Sequence, residues 1–440
     1  MIGTGIFLKP SEMAAEGGSI SIVFAAWIVG GVLSIFGALC YAELGASIPE
    51  AGGEYAYLRR GLGISWGFLF GWMHSMIARP ASGAAIAAGL LRFCTFVFPV
   101  LATPLHTFHS HSMFVWGYPT EFVITWEQPL AVGALALISI INYLGVRQSG
   151  RVQIALTILK IGAVAGFVVV GFLFLHGRAQ NLRPMWPTSP SWGTLRGFFA
   201  ALAAAMWAYD GWNDLNLVGS EVQNPGRNIP RALVGGTALV ALLFLAFTAV
   251  CFYALPFDQV VSSPHVASDV FKSFAGQNAG LWITLAMVIS AIGTLNSSIL
   301  SGARVDYAMA RDRLFFRFAA AVHPRFRTPG NALIFQCGLA SLMVMTGSFE
   351  DLTSLVMFGS WIFYGLAAIA MFRLRRLEPN LSRPYCTWGY PIVPGVFVLG
   401  AVSLAVSLWI ARPVRSTIGL AVVLGGLLFY RSWSRNTGSP

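Results

Sequence analysis

Two stretches of the sequence interrupt apolar segments with glycines and small polar residues. The first is Gly3–Phe7, in which two glycines bracket Thr4, and the second is Trp207–Asp214, which holds two aspartates and an asparagine. Glycine lowers helix propensity and lets a ligand approach the backbone closely. At a helix break, freed N–H groups favour a carboxylate, and freed carbonyls accept from an ammonium. The chemistry that these residues could perform is therefore binding of the zwitterionic part of an α-amino acid.

Each interruption also has an ordinary explanation. A lone GxG motif in an apolar helix is usually a helix-packing contact. The Asp210–Asp214 stretch could be an extracellular loop, since Pro187 and Pro190 precede it. The two interruptions lie five helices apart, however, with four complete apolar runs between them, which is the spacing of an inverted repeat of five plus five helices. The pairing favours two discontinuous helices, the first and the sixth.

Two basic residues lie deep in apolar runs. Lys160 is about ten residues into its run, too deep to reach the interface easily, which indicates a functional role unless the run begins later. Arg79 is followed by Pro80, which suggests a kink, so structural and functional roles stay equally open.

The composition indicates the kind of element that must position these residues. The chain has 440 residues, of which 56% are hydrophobic and only 10% charged. A soluble protein of this length carries about 25% charged residues. Although the net charge is +11, the basic residues lie between apolar runs rather than on one patch, which is typical of a membrane protein and not of a nucleic-acid surface. We expect an all-α integral membrane protein.

Eleven runs are long enough to span a bilayer, which needs about 20 apolar residues. They lie near residues 20–42, 64–98, 129–146, 151–176, 194–220, 231–255, 278–303, 331–348, 352–374, 391–411 and 414–432. The preceding piece Met1–Lys9 is too short to span and is expected to be the second half of a truncated first helix. The sequence thus predicts about twelve transmembrane helices in a single domain, 1–440. Its parts are a first repeat (1–176), a second repeat (194–374) and two additional helices (391–432).

The distribution of lysine and arginine predicts the orientation. Eighteen basic residues fall in the loops on one side of the predicted spans and six on the other, while four lie within or beside apolar segments. The basic side faces the cytoplasm in membrane proteins, so the C-terminus is expected inside.

The five cysteines lie far apart and form neither a disulfide framework nor a CxxC metal motif. We therefore expect no metal and no cofactor.

Motifs along almost the whole chain resemble the amino acid–polyamine–organocation superfamily, and within it the L-type amino acid transporter branch. The segments that carry the resemblance are Met1–Phe7, Tyr41–Gly45, Pro49–Tyr55, Ala78–Pro80, Tyr209–Asn213, Glu221, Asn224–Pro230, His323–Pro324 and Thr328–Pro329.

The resemblance implies twelve helices, the first ten forming an inverted repeat, and sodium-independent transport of amino acids, often by exchange. It implies that amides of Thr4, Gly5 and Ile6 hold the substrate carboxylate. It further implies a lid role for Trp207 and places Lys160 where sodium-coupled relatives bind a cation. The carbonyls implied to take the substrate ammonium are those of Ile2, Trp207, Ala208 and Asp210. The candidate substrate-binding set is Ile2, Gly3, Thr4, Gly5, Ile6, Trp207, Ala208, Asp210 and Gly211.

The chain departs from the family pattern in two ways. Its first helix lacks the cytoplasmic half, so Met1 is expected to be an internal methionine. Animal exchangers of this branch carry a cysteine after the third helix that binds a glycoprotein partner, whereas residues 95–128 contain none. We expect a stand-alone bacterial permease in the cell membrane, with no disulfide-linked heavy chain and no nucleic acid as partner.

The favoured function is a permease for neutral amino acids that works by exchange. Alternatives are an exchanger of cationic and neutral amino acids, a proton-coupled permease and, remotely, a membrane-embedded enzyme or a channel. Asp210 bears on this choice. Its carboxylate could select a cationic substrate, or it could cap the second half of the sixth helix.

Overall fold

The computed structural model of the protein describes residues 1–109, 121–174, 179–187, 191–346 and 349–435, and these form a bundle of helices. The helices up to residue 174 are α1 (Gly5–Gly17), α2 (Ile20–Ser47), α3 (Glu54–Gly61), α4 (Ile64–Met73), α5 (Arg79–Cys94), α6 (Glu127–Leu144) and α7 (Val146–Phe174). Those that follow are α8 (Trp192–Tyr209), α9 (Asp214–Leu217), α10 (Pro225–Ala254), α11 (Phe257–Ser262), α12 (Val266–Arg311), α13 (Gly330–Thr346), α14 (Phe349–Leu377), α15 (Ile392–Ala411) and α16 (Pro413–Arg435). Short 3₁₀ turns lie at Pro99–Ala102, Ala179–Leu182, Gly219–Glu221 and Arg317–Ala320.

The predicted all-α membrane fold is confirmed. Within the described residues, eight helices are each long and apolar enough to cross a membrane. They are α2, α6, α7, α10, α12, α14, α15 and α16. The described part of the chain also contains an antiparallel strand pair, β1 (Pro104–His109) and β2 (Glu121–Thr125), and an isolated β-bridge between Ala51 and Val218.

Three predicted spans have other boundaries in the structure. The run 64–98 consists of α4, a π-helical turn (His74–Ala78) and α5, and its helix ends at Cys94. The run 194–220 stops being helical after Tyr209, at the predicted interruption. Helix α12 has a kink at Gly276, where φ is 77°, and its apolar span after the kink, Asn278–Arg311, begins at the predicted residue 278 and ends later than the predicted residue 303.

Small residues bring the interrupted segments close together. A Cβ placed on Gly5 would lie 2.7 Å from the Cα of Ala208, so the start of α1 and the end of α8 touch backbone to backbone. Gly31 of α2 makes room for Tyr209, whose hydroxyl donates to the Trp27 carbonyl at 3.0 Å. Close approach through glycine is the usual way to pack membrane helices. It fixes both interruptions at one place in the bundle.

Candidate functional site

The first interruption lies directly before α1. Residues 1–4 are non-helical, and the Thr4 carbonyl accepts the first helical hydrogen bond, from the Leu8 N–H at 3.1 Å. The first N–H groups of any α-helix have no acceptor within that helix. The amides at Gly5 and Ile6 are therefore available to an anion at this end of α1, where the helix dipole is positive.

The second interruption separates α8 from α9. Helix α8 ends at Tyr209, and the Asp210 N–H turns back to the Trp207 carbonyl at 3.2 Å. Gly211 then takes a φ of 89°, a conformation that costs glycine little and other residues more. The last carbonyls of α8, including that of Ala208, are consequently free of helical partners.

The two interruptions enclose a cavity of about 50 Å³. Six of the nine predicted substrate-binding residues line it, namely Gly3, Thr4, Gly5, Trp207, Asp210 and Gly211. Ile2, Ile6 and Ala208 are buried and are not among its lining residues. The cavity thus presents N–H groups at one helix start and carbonyls at one helix end, which is the pair of groups that an amino-acid zwitterion requires.

Lys160 of α7 lies beside the first interruption. Its side chain is buried, and its Nζ donates to the Thr294 hydroxyl at 3.5 Å. Thr294 donates in turn to the Ile2 carbonyl at 2.8 Å, and Ser290 donates to the same carbonyl at 3.4 Å. The lysine therefore reaches the break through one hydroxyl. Sequence reasoning missed Ser290 and Thr294, although their four-residue spacing on an apolar helix was a usable signal.

Arg79 is also part of the cavity wall. Its Nη1 donates to Oδ2 of Asp214 at 3.1 Å and its Nη2 donates to Oδ1, so the pair is bidentate. Nη1 also lies 3.3 Å from the Ser298 hydroxyl. The π-helical turn immediately before Arg79 accounts for the irregularity that Pro80 suggested. The pairing with Asp214 was not predicted.

Asp210 does not act as a helix cap in this structure. Helix α9 begins after Asn213 without a side-chain cap, so the capping interpretation is wrong. Instead, Oδ1 of Asp210 accepts from the Tyr364 hydroxyl at 2.8 Å. Asp210 also lines a second, water-sized cavity of about 20 Å³ together with Glu54. Its carboxylate therefore faces the interior of the site.

A larger vestibule of about 880 Å³ lies next to the cavity, among α1, α8, α14 and α15. It lies on the side of the bundle where α1 ends and α8 begins. This side carries Arg196 and Arg412 and has few other basic residues, and it is the arginine-poor face. Trp207 lines both the vestibule and the 50 Å³ cavity. The two spaces therefore meet at this residue, and its role as a lid stays a prediction.

The opposite side, the arginine-rich face, carries a layer of ion pairs. Glu43 accepts from Arg375 at 2.8 and 2.6 Å and from the Thr387 N–H at 2.7 Å, and its side chain is only 2% exposed. Arg60 holds Glu378 in a second bidentate pair, at 2.8 and 2.5 Å. Further pairs join Arg59 to Asp312 and Glu50, and Arg304 to Glu221. These contacts connect α2, α3, α12 and α14 with the loops between helices.

A helical membrane bundle in which the start of one helix and a break in another flank a polar cavity has the architecture of a secondary transporter. The comparison with known families agrees: the chain belongs to the amino acid permease family, whose sequence model matches residues 1–428.

Several characterised proteins are similar over nearly the full chain. The serine/threonine exchanger SteT of Bacillus subtilis is 31% identical, over 100% of this chain and 94% of its own length. The mouse Asc-type amino acid transporter 1 is 29% identical, over 98% of this chain and 79% of its own. The human b(0,+)-type amino acid transporter 1 is also 29% identical, over 98% and 84%. The predicted family and the prediction of amino-acid transport are thus confirmed, whereas the roles of individual site residues and the repeat boundaries stay predictions.

Proposed function

We propose that the protein exchanges small neutral amino acids across the cell membrane by alternating access, without sodium, and with its C-terminus in the cytoplasm. The observation that carries the proposal is the cavity between the two interruptions, which the start of α1 and the end of α8 line together. Trp207 would close the cavity toward the vestibule. The segments 1–176 and 194–374 would be the two repeats whose relative motion changes access.

The proposed binding mode uses the backbone for the part that all α-amino acids share. The substrate carboxylate would accept from the amides of Thr4, Gly5 and Ile6. The ammonium would donate to carbonyls of Ile2 and of the last turn of α8 and the residue after it, at Trp207, Ala208 and Asp210. A volume of about 50 Å³ favours small side chains, and SteT is named as a serine/threonine exchanger. Alanine, serine and threonine are therefore the first substrates to test.

The position of Lys160 supports sodium independence. Its ammonium contacts Thr294, which is bonded to the Ile2 carbonyl at the break. A fixed positive charge there would take the place of a bound cation and would repel a second one. No sodium would then be needed to hold the broken helix.

We further propose that the protein works without a disulfide-linked partner, because residues 95–128 contain no cysteine. Membership of a permease family also favours transport over an enzymatic reaction in the membrane.

Asp210 favours a second candidate, an exchanger that also accepts cationic amino acids. Its Oδ1 is bonded to the neutral Tyr364 hydroxyl, and no basic side chain pairs with Asp210 among the residues that the structure describes. A carboxylate in a cavity is costly without a positive partner, and a substrate ammonium or guanidinium would supply one. Asp210→Asn separates the candidates. Loss of arginine and lysine transport with alanine transport retained supports the charge as selector, whereas equal loss of all substrates, or no loss, contradicts it.

The proposed function is tested by counterflow in proteoliposomes loaded with unlabelled L-alanine. External labelled alanine should accumulate transiently in the absence of sodium, and serine and threonine should compete. Alanine methyl ester lacks the carboxylate and propionate lacks the ammonium, so neither should compete. Absence of counterflow for every amino acid in a full panel, or equal competition by propionate, would contradict the proposal.

A further inference from the structure

Charged groups of both signs line the small cavity. Arg79 is the basic side chain in its wall, the carboxylates of Asp210 and Asp214 line it with Arg79, and the Met1 amino terminus lines it as well. Both Asp214 oxygens accept from the Arg79 guanidinium, while Asp210 accepts from Tyr364. The arginine is thus matched by one specific partner, and that partner comes from the segment that breaks the helix.

The position of Arg79 makes its charge matter to a ligand. Its side chain is only 11% exposed, and the other atoms that it contacts are neutral: the Ser298 hydroxyl at 3.3 Å and the His74 ring nitrogen at 3.4 Å. A guanidinium in such a place binds a planar carboxylate in two-point fashion whenever one is in reach. Asp214 occupies that two-point position.

Chain topology suggests a role beyond holding the bundle together. Arg79 belongs to the long, packed element of α4, the π-helical turn and α5, whereas Asp214 is the first residue of α9, directly after the interruption. A purely structural bidentate pair could lie anywhere between these elements. This one lies in the wall of the candidate substrate cavity, within the same space as the predicted backbone ligands.

We propose that Asp214 neutralises Arg79 within the substrate cavity, and that this pair is what excludes amino acids with acidic side chains. The inference rests on the proposed function, because it names the substrate class that the same site rejects. A glutamate or aspartate substrate would bring its side-chain carboxylate toward a guanidinium that is already saturated, and the nearby Asp210 carboxylate would repel it. Without the Asp214 charge, Arg79 becomes an acceptor site for that carboxylate.

The test uses Asp214→Asn, which keeps the shape of the side chain and removes its charge. In alanine counterflow, L-glutamate at 100-fold excess should not compete with the wild type. In Asp214→Asn, the ratio of glutamate to alanine apparent affinity should rise at least tenfold. Asp312→Asn is the matched control, because it breaks the Arg59 ion pair away from the cavity and should leave that ratio unchanged.

The double variant Arg79→Gln with Asp214→Asn removes both charges. It should not show the increased ratio of glutamate to alanine apparent affinity. If the double variant gains as much as Asp214→Asn, or if Asp214→Asn shows alanine counterflow with no competition by glutamate, the proposal is overturned.

Thermal melting of purified protein gives a readout that does not depend on transport. Asp214→Asn leaves a buried guanidinium without its partner and should melt at a lower temperature than the wild type. Glutamate should raise the melting temperature of Asp214→Asn more than it raises that of the wild type, and alanine should not show this difference. If glutamate does not raise the melting temperature of Asp214→Asn selectively, the proposal is overturned, whether or not counterflow is observed. If the selective shift is present but the wild type shows no counterflow, only the proposed function is contradicted.

Discussion

The cavity between the interruptions and the arginine-rich face are both polar regions inside an apolar bundle, but they are built from different groups. At the cavity, the groups aimed at a ligand are mostly backbone amides and carbonyls released by two helix ends. At the arginine-rich face, the contacts are side-chain ion pairs between helices and loops. Backbone groups recognise what all amino acids share and keep their geometry. Ion pairs can separate and re-form, so they are suited to opening and closing one face of the bundle.

The two faces of the bundle also differ in how open they are. A vestibule of about 880 Å³ opens the arginine-poor face down to Trp207, while the arginine-rich face is held by the ion-pair layer. In an alternating-access cycle this layer must open. We expect the buried ion pairs of this layer to stabilise the closed face more than the exposed ones do.

The strongest expected effect comes from Glu43→Gln. Glu43 is almost fully buried and holds Arg375, the Thr387 N–H and, at 3.7 Å, Arg383, so its replacement removes the carboxylate that pairs with Arg375. Breaking a buried pair from one side costs about 3–5 kcal/mol. We expect a lower melting temperature and faster hydrogen exchange in residues 378–391. Unchanged exchange there would mean that the pair does not hold the face closed.

The next effect tests the close approach at the cavity. Gly5→Ala places a Cβ 2.7 Å from the Ala208 Cα, which forces the two interruptions apart. Overpacking of this kind costs about 1–3 kcal/mol, so alanine affinity should fall by roughly 10-fold or more. Gly166→Ala on α7 is the control, since a Cβ there meets no described atom within 4 Å. Equal affinities in the two variants would argue against binding at this place.

Lys160→Ala removes the charge beside the first interruption. Hydrogen bonds to charged groups contribute about 1.5–3 kcal/mol, so we expect a clear loss of uptake with the protein still folded. Uptake by the wild type should be the same when sodium is replaced by choline. Strict dependence of the wild type on sodium would refute the role given to this lysine.

The smallest effect is expected from Glu378→Gln at the exposed edge of the ion-pair layer. The hydrogen bonds from Arg60 lower the pKa of Glu378. A lowered pKa contributes stability above the unfolded-state pKa, and this contribution is lost as the pH falls through the folded-state pKa. Because the pair is exposed, screening limits it to about 0–1 kcal/mol. The difference in melting temperature between wild type and variant should be small at pH 7 and vanish in acid. A difference in melting temperature as large as that of Glu43→Gln would show that burial does not determine how much each ion pair stabilises the protein.

The sequence was sufficient for the helical membrane fold and for the position of the break after Tyr209, because glycines and acids in apolar runs are local signals. It could not supply the pairings. Arg79 and Asp214 are 135 residues apart, and Tyr364 and Asp210 are 154 apart, so only the folded chain brings them together. The helical segment from Val266 to the Gly276 kink, which precedes the predicted span, was missed for a different reason, since hydropathy does not distinguish a polar helical segment from a loop.

The most direct test of the account is a structure of the protein in lipid nanodiscs, determined with saturating L-alanine and again without it. The account predicts new density in the cavity between α1 and α8, with the carboxylate at the amides of Thr4, Gly5 and Ile6 and the ammonium at the Ala208 end of α8. Density confined to the vestibule on the far side of Trp207, with the cavity unchanged, would contradict it.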